Sequence, residues 1–133
     1  MIYFDNGATT LIKPESVLKE IVDDFNKMGN PSRGSYTASE YSMDKVYGTR
    51  QKVAKLFGVS PMDVAFTYNI TTSLNLVLKS LLTKEDHVIT TILEHNSVLR
   101  PLYQLEDEGM GLSFVDVDEN FDLKLEMLEE LLQ

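Results

Sequence analysis

Two strand–loop–helix units in series constrain this chain more than any other feature. The first runs through 63–75, Asp-Val-Ala-Phe-Thr-Tyr-Asn-Ile-Thr-Thr-Ser-Leu-Asn, and the second through 87–100, His-Val-Ile-Thr-Thr-Ile-Leu-Glu-His-Asn-Ser-Val-Leu-Arg. In each, a short β-rich run ends in small polar residues that open an amphipathic helix. A third unit follows, so the order becomes strand at 64–68, helix at 71–82, strand at 87–91, helix at 97–108, strand at 112–117 and helix at 123–132. Such alternation predicts an α/β fold with a mainly parallel sheet and crossover helices. Pro101 is compatible with its helix if it falls in the first turn, where amides have no intrahelical partner.

The N-terminal half reads differently. Residues 1–13 form an extended arm with a turn at Asn6-Gly7. Pro14 suits a first helical position, and Val17, Leu18, Ile21, Val22 and Phe25 then repeat at helical spacing, with Gly29 available as the cap. The run Asn-Pro-Ser-Arg-Gly-Ser after it is a loop by composition. A longer helix is expected over about 39–57, with Tyr41, Val46, Val53, Leu56 and Phe57 as its buried stripe and Gly58 at its end. Gly48 inside it costs about 1 kcal/mol against alanine unless it allows close packing. The apolar spacing of 123–132 stops at Gln133 without a closing Gly, Asn or Pro. That end reads either as a frayed terminal helix or as a chain cut inside a larger protein.

Bulk properties exclude several classes. A net charge of −9 argues against a nucleic-acid partner, which calls for basic patches. No run is long and apolar enough to cross a bilayer, and the N-terminus lacks the layout of a secretion signal. The chain has no cysteine, which removes disulfides, thiolate metal sites and a cysteine nucleophile from these residues and fits a cytoplasmic protein. The acidic residues are spread along helical faces, so no metal site is expected.

Chemistry is expected at the helix mouths. Asn69, Ile70, Thr71 and Thr72 sit where a strand turns into its helix, and a helix start offers free N–H groups and the positive end of a dipole. Open parallel sheets bind ligands outside the carboxyl ends of their strands, where this turn falls. The same residues equally describe an ordinary N-cap. His95 follows the second strand at a corresponding place, where an imidazole could stack on a heteroaromatic ring or relay a proton, or simply bond a backbone carbonyl. Asn96 and Ser97 read as caps of the helix after it. His87 opens its strand after Glu85-Asp86 and is expected at the surface. Ala8, Thr9 and Thr10 read either as a structural arm or as part of a site. Arg33, in its Gly/Ser loop, could present a guanidinium to an anion or stand solvated. Arg50 reads as an ion-pair or surface residue.

Segments 2–10, Ile-Tyr-Phe-Asp-Asn-Gly-Ala-Thr-Thr, 29–34, Gly-Asn-Pro-Ser-Arg-Gly, and 94–102, Glu-His-Asn-Ser-Val-Leu-Arg-Pro-Leu, join the two units in one order and spacing. Together they resemble the class V aminotransferase and cysteine desulfurase family, pyridoxal-phosphate enzymes of the type I fold. The resemblance runs nearly end to end but covers only the N-terminal part of a family-length protein, and it implies an arm over 1–13 and, over 14–133, the first part of the cofactor-binding large domain, cut within a helix. It implies that the turn at Ile70, Thr71 and Thr72 holds the cofactor phosphate, with Thr71 matching the family threonine. It implies that His95 stacks on the pyridoxal ring and takes part in catalysis. It implies substrate proximity for Ala8, Thr9 and Arg33. Thr72 stands where many relatives carry glutamate, and Ile70 is bulkier than usual.

The resemblance further implies a homodimer, a small amino-acid substrate, and a parent enzyme that passes sulfur from L-cysteine through a persulfide to an acceptor protein. The family's Ser-x-His-Lys segment and its sulfur-carrying cysteine do not occur here, so these 133 residues alone are expected to be inactive. Another class V enzyme, an aminotransferase or selenocysteine lyase, is compatible. So is a non-catalytic α/β module binding a phosphorylated metabolite at the Thr71 turn, or a small protein acting only in assembly.

Overall fold

A computed structural model describes residues 2–133, so the Met1 position of the expected arm lies outside the described residues. Contacts divide the chain between Ala65 and Phe66 into two compact units.

In the first unit the arm turns as expected. The Asp5 carbonyl accepts the N–H groups of Ala8 and Thr9 at 3.2 and 3.1 Å, and the Tyr3 hydroxyl donates to the Thr9 carbonyl at 2.8 Å. Helix α1 spans Glu15–Phe25 with Pro14 as its N-cap, one position earlier than the sequence suggested. The helix ends at Asn26, not Gly29. There the Asp24 carbonyl takes the amides of Lys27 and Met28 at 3.0 and 2.9 Å, closing the last turn three residues early. The apolar stripe has the expected spacing, yet Val17, Leu18, Ile21, Val22 and Phe25 are 44 to 86 % exposed.

Helix α2 spans Thr37–Phe57 and closes on Gly58 at φ 67°, a left-handed conformation that glycine adopts without Cβ strain. Its buried residues are Ser39, Ser42 and Ala54. The expected stripe holds in part: Tyr41, Val46 and Val53 are half-buried, while Leu56 and Phe57 are exposed and the fully buried positions are small residues. Gly29 shows why. Its N–H bonds Ser42 Oγ at 2.8 Å and the Ala38 carbonyl at 3.0 Å, and a Cβ there would stand 3.2 Å from the Ala38 backbone carbon. Gly48, by contrast, faces open space and packs closely against nothing.

A polar tie joins α1 to α2. Tyr41 donates to Asp24 at 2.6 Å, and Lys45 bridges Asp24 at 3.0 Å and Glu20. The Tyr41 hydroxyl, and then Lys45, hold the Asp24 carboxyl below the usual carboxylate range. The Asp24 bond in turn raises Tyr41, and Glu20 followed by Asp24 raises Lys45. After Gly58 a 3-10 turn at Pro61–Asp63 is closed by a capping box between Ser60 and Asp63.

The second unit carries the parallel sheet. Strand β1, His87–Thr91, pairs in parallel with β2, Gly111–Val115, in the register His87 to Gly111 through Thr91 to Val115. Among the described residues the sheet has these two strands, and 64–68 is not one of them. Val64 is extended (φ −100°, ψ 119°), but an extended segment becomes a strand only through a paired neighbour, and Tyr68 there is 97 % exposed. Strand β2 ends two residues earlier than expected. Beyond it Val117 pairs with Leu123 in an isolated antiparallel bridge, which removes Leu123 from the last helix.

Helix α3 spans Ile70–Leu81, α4 spans Asn96–Asp107 and α5 spans Leu125–Leu131. Helix α4 crosses between the strands and packs against α3. Leu102, Leu105 and Met110 form the core, with Leu78, Leu82, Val88, Val98 and Leu112 packed around them. Pro101 is buried at the sixth position of α4, beyond the first turn, so its missing N–H leaves the Ser97 carbonyl without its helical donor. Among the described residues no helix is long and apolar enough to cross a membrane, and no acidic or histidine cluster could hold a metal ion.

Candidate functional site

The mouths of α3 and α4 face a common cleft. Its lining residues are Thr71, His95, Asn96, Ser97 and Arg100, and its volume is about 280 Å³. Ligand pockets usually hold about 300–1,000 Å³, so the cleft suits one end of a small ligand rather than a whole one.

The start of α3 is built by Asn69. Its Oδ1 accepts the Thr72 amide at 2.8 Å and the Thr72 hydroxyl at 3.1 Å, while its carbonyl takes the Ser73 amide at 3.1 Å. Thr72 is thereby committed to the cap. Thr71 is not: among the described residues no protein acceptor takes its amide or its hydroxyl. Ile70 and Thr72 are exposed and stand outside the cleft lining. Thr72 instead lines a groove along α3 with Asn75, Leu76, Lys79 and Ser80.

The start of α4 corrects the expected caps. His95, not Asn96 or Ser97, is the N-cap. Its Nδ1 accepts the Ser97 amide at 3.1 Å and lies 2.9 Å from Ser97 Oγ, while its carbonyl takes the amides of Val98 and Leu99 at 2.8 and 3.2 Å. Asn96 and Ser97 are the first two helical residues, and Ser97 is buried.

Sequence reasoning missed Arg100. The signal was present: Arg100 follows Asn96 by four residues and His95 by five, which puts it on the face shared with Asn96. Among the described residues Arg100 has no ion-pair or hydrogen-bond partner, in a chain with 21 acidic residues. The lining contains a guanidinium, an amide side chain, two hydroxyls, an imidazole and two helix starts, and no carboxylate. Such a donor set fits an anion, a phosphate among them.

Ala8, Thr9 and Arg33 belong to the first unit and are exposed. Thr9 takes part in the arm's turn through its amide and its carbonyl. The Arg33 loop is fastened to α2, since Ser39 Oγ lies 2.7 Å from the Asn30 carbonyl and 3.0 Å from the Gly34 carbonyl and shares its one proton between them. Arg50 lines a separate hollow with Pro31, Ser32, Met43, Val46 and Tyr47. His87 is exposed at the sheet edge as expected, its Nε2 2.8 Å from Ser113 Oγ.

Parallel strands joined by a crossover helix, with a donor-lined cleft at the helix mouths, define an α/β protein equipped to hold an anion. The chain belongs to the class-V aminotransferase family, whose model matches residues 2–133. It is similar to the cysteine desulfurase IscS of Rickettsia typhi, 33 % identical over 96 % of this chain and 32 % of that protein. It is also similar to a probable cysteine desulfurase of Synechocystis, 35 % identical over 99 % of this chain and 33 % of that protein. The solved apo structure of the cysteine desulfurase of Thermococcus onnurineus NA1 superposes with a TM-score of 0.87 at 32 % identity, over 97 % of this chain and 33 % of that one. The chain thus spans about a third of the length of the relatives it matches, and its fold is that of the desulfurases' type I architecture.

Proposed function

We propose that this chain supplies the phosphate-holding part of a pyridoxal-phosphate-dependent cysteine desulfurase, corresponding to the opening third of such an enzyme. The observation that carries the reading is the shared cleft: Thr71 and His95 line one cavity that no carboxylate enters. Thr71 offers its amide and hydroxyl to the cofactor phosphate at the positive end of α3, and Arg100 adds charge from α4. His95 covers the flat face of the cofactor ring. The bound cofactor would supply the electron sink, and the protein groups orient it and tune its electrostatics. Ala8, Thr9 and Arg33 take part in substrate binding, and Ile70 and Thr72 shape the phosphate turn. The complete enzyme would act in the cytoplasm as a homodimer, taking sulfur from L-cysteine and passing it to an acceptor protein.

Calorimetric titration with pyridoxal phosphate, unphosphorylated pyridoxal and ATP tests this. Pyridoxal phosphate should bind at least about tenfold tighter than pyridoxal, a difference of about 1.4 kcal/mol. Thr71→Val, which removes the hydroxyl and keeps the amide and Arg100, should shrink that difference. Binding of ATP in preference to pyridoxal phosphate would replace the reading with a nucleotide-binding module. For the parent enzyme, a reading frame continuing into a Ser-x-His-Lys segment and a later cysteine supports the assignment, and a stop codon after Gln133 overturns it.

A further inference from the structure

The imidazole of His95 is held at one of its two nitrogens. Nδ1 lies 3.1 Å from the backbone nitrogen of Ser97 and 2.9 Å from Ser97 Oγ. A backbone N–H can only donate, so Nδ1 meets it with its lone pair and carries no proton. The neutral ring therefore carries its proton at Nε2. Ser97 is 8 % exposed and is the second residue of α4, so the helix fixes the direction of its amide. A proton on Nδ1 would set one donor against the Ser97 N–H, whereas the Ser97 hydroxyl can turn to either role. Among the described residues no protein group bonds Nε2, and the ring lines the cleft with Thr71, Asn96 and Arg100.

We propose that Ser97 is a positioning residue that holds the His95 ring as its Nε2–H tautomer. In that state the ring gives a hydrogen bond to an acceptor in the cleft and does not serve as a base through Nδ1. The cleft becomes a set of donors: the Thr71 amide and hydroxyl, the Asn96 amide, the Arg100 guanidinium and His95 Nε2–H. It selects a ligand with several acceptor oxygens. The inference deepens the cofactor reading without resting on it, because the tautomer belongs to the unliganded chain.

Long-range ¹H–¹⁵N correlation spectra of the full chain, labelled at histidine, read the tautomer of each ring. His87 resonances and circular dichroism report that the fold is intact. The neutral His95 ring should show the Nε2–H pattern. Ser97→Ala, which keeps the amide, should retain it. Ser97→Pro removes both amide and hydroxyl in a first turn that accepts proline, and should relax the ring toward the mixed tautomers of free histidine. An Nδ1–H pattern in the wild-type chain overturns the proposal with no variant needed. So does a folded Ser97→Pro chain whose His95 pattern is unchanged. Addition of pyridoxal phosphate to the same sample tests the cofactor reading separately. Absence of binding removes that reading and leaves the tautomer assignment standing.

Discussion

Ser39 and Ser42 fasten the 29–34 loop to α2, and their loss should loosen it measurably. Both are 0 % exposed. The Ser39 hydroxyl serves the carbonyls of Asn30 and Gly34 at 2.7 and 3.0 Å. Ser39→Ala leaves both without it, and a buried polar group left unpaired costs about 1–3 kcal/mol. Ser42 Oγ lies 2.8 Å from the Gly29 amide and 2.9 Å from the carbonyls of Gly29 and Ala38. Ser42→Ala is milder, because the Gly29 amide keeps its bond to the Ala38 carbonyl at 3.0 Å. That change should cost about 1 kcal/mol. A unit of this size has only about 3–10 kcal/mol of stability in all, so either loss is substantial. Urea unfolding reads the global effect through the midpoint at constant slope. Trypsin reads the local one, since Arg33 lies inside the fastened loop. If local opening limits cleavage, 2 kcal/mol raises the open population roughly 30-fold, and cleavage after Arg33 with it. A Ser39→Ala chain within about 0.3 kcal/mol of wild type, cleaved after Arg33 at the wild-type rate, would refute the fastening.

Two further outcomes follow from the packing and the carboxylates. Leu102 is 1 % exposed in a core of few buried residues, so Leu102→Ala should cost about 2–5 kcal/mol, with amide exchange accelerating along β1, α3 and α4. Protection left unchanged there would remove Leu102 from the core. Four carboxyls sit below the ordinary range: Asp24 through Tyr41 and Lys45, Asp86 through the Thr83 amide and hydroxyl, Asp116 through Lys124 and the Val117 amide, and Asp118 through the amides of Asp122 and Asn120. Their folded values lie below the unfolded ones, so the stability they confer is complete above the ordinary carboxylate pKa of about 3.9 and is lost as pH falls below it. The melting temperature should drop steeply below about pH 4, and Asp118→Asn, which keeps an acceptor without the ionisation, should flatten that limb.

How far the fold was legible varied with what each element depends on. β1 came out at His87–Thr91 as read, because its alternation is bounded by the Asp86 carboxylate, which closes the preceding turn on Thr83. α3 and α4 each lay within a residue of expectation for the same local reason: polar caps and an unbroken apolar stripe. The segment 64–68 has strand-like residues, but strand formation needs a neighbour, and no single segment encodes its partner. On α2 the half-buried Tyr41, Val46 and Val53 were read, but its fully buried positions escaped a search for large apolar residues, since they are Ser39, Ser42 and Ala54. The reverse holds for α1, whose stripe was read and is exposed. At the candidate site, Thr71 and His95 were singled out as helix openers, although among the described residues no strand precedes the Thr71 helix, while Arg100 was hidden one turn further along a helix read only for its caps. The His95 cap was missed because histidine ranks low among cap residues, and Asn96 and Ser97 offered more favourable choices.

That cap gives His95 two duties, and they can be separated. His95→Ala removes the ring from the cleft and the acceptor from the Ser97 amide together. A loss of ligand binding in that variant would therefore be ambiguous between chemistry and a frayed α4. Losing an N-cap acceptor costs about 0.5–2 kcal/mol. His95→Asn should avoid that cost, because asparagine is among the preferred caps and its Oδ1 can accept the same amide. The expected pair of results is a His95→Asn chain that melts within about 0.5 kcal/mol of wild type, and a His95→Ala chain destabilised by about 1 kcal/mol. Both should lose the ring-dependent part of pyridoxal phosphate binding to the same degree, since neither has a flat imidazole to cover the cofactor. Equal stability of the two variants would show that the Nδ1 contact contributes nothing to α4. Wild-type affinity in His95→Asn would show that the ring is there only to cap the helix, leaving Thr71 and Arg100 to hold the anion without it.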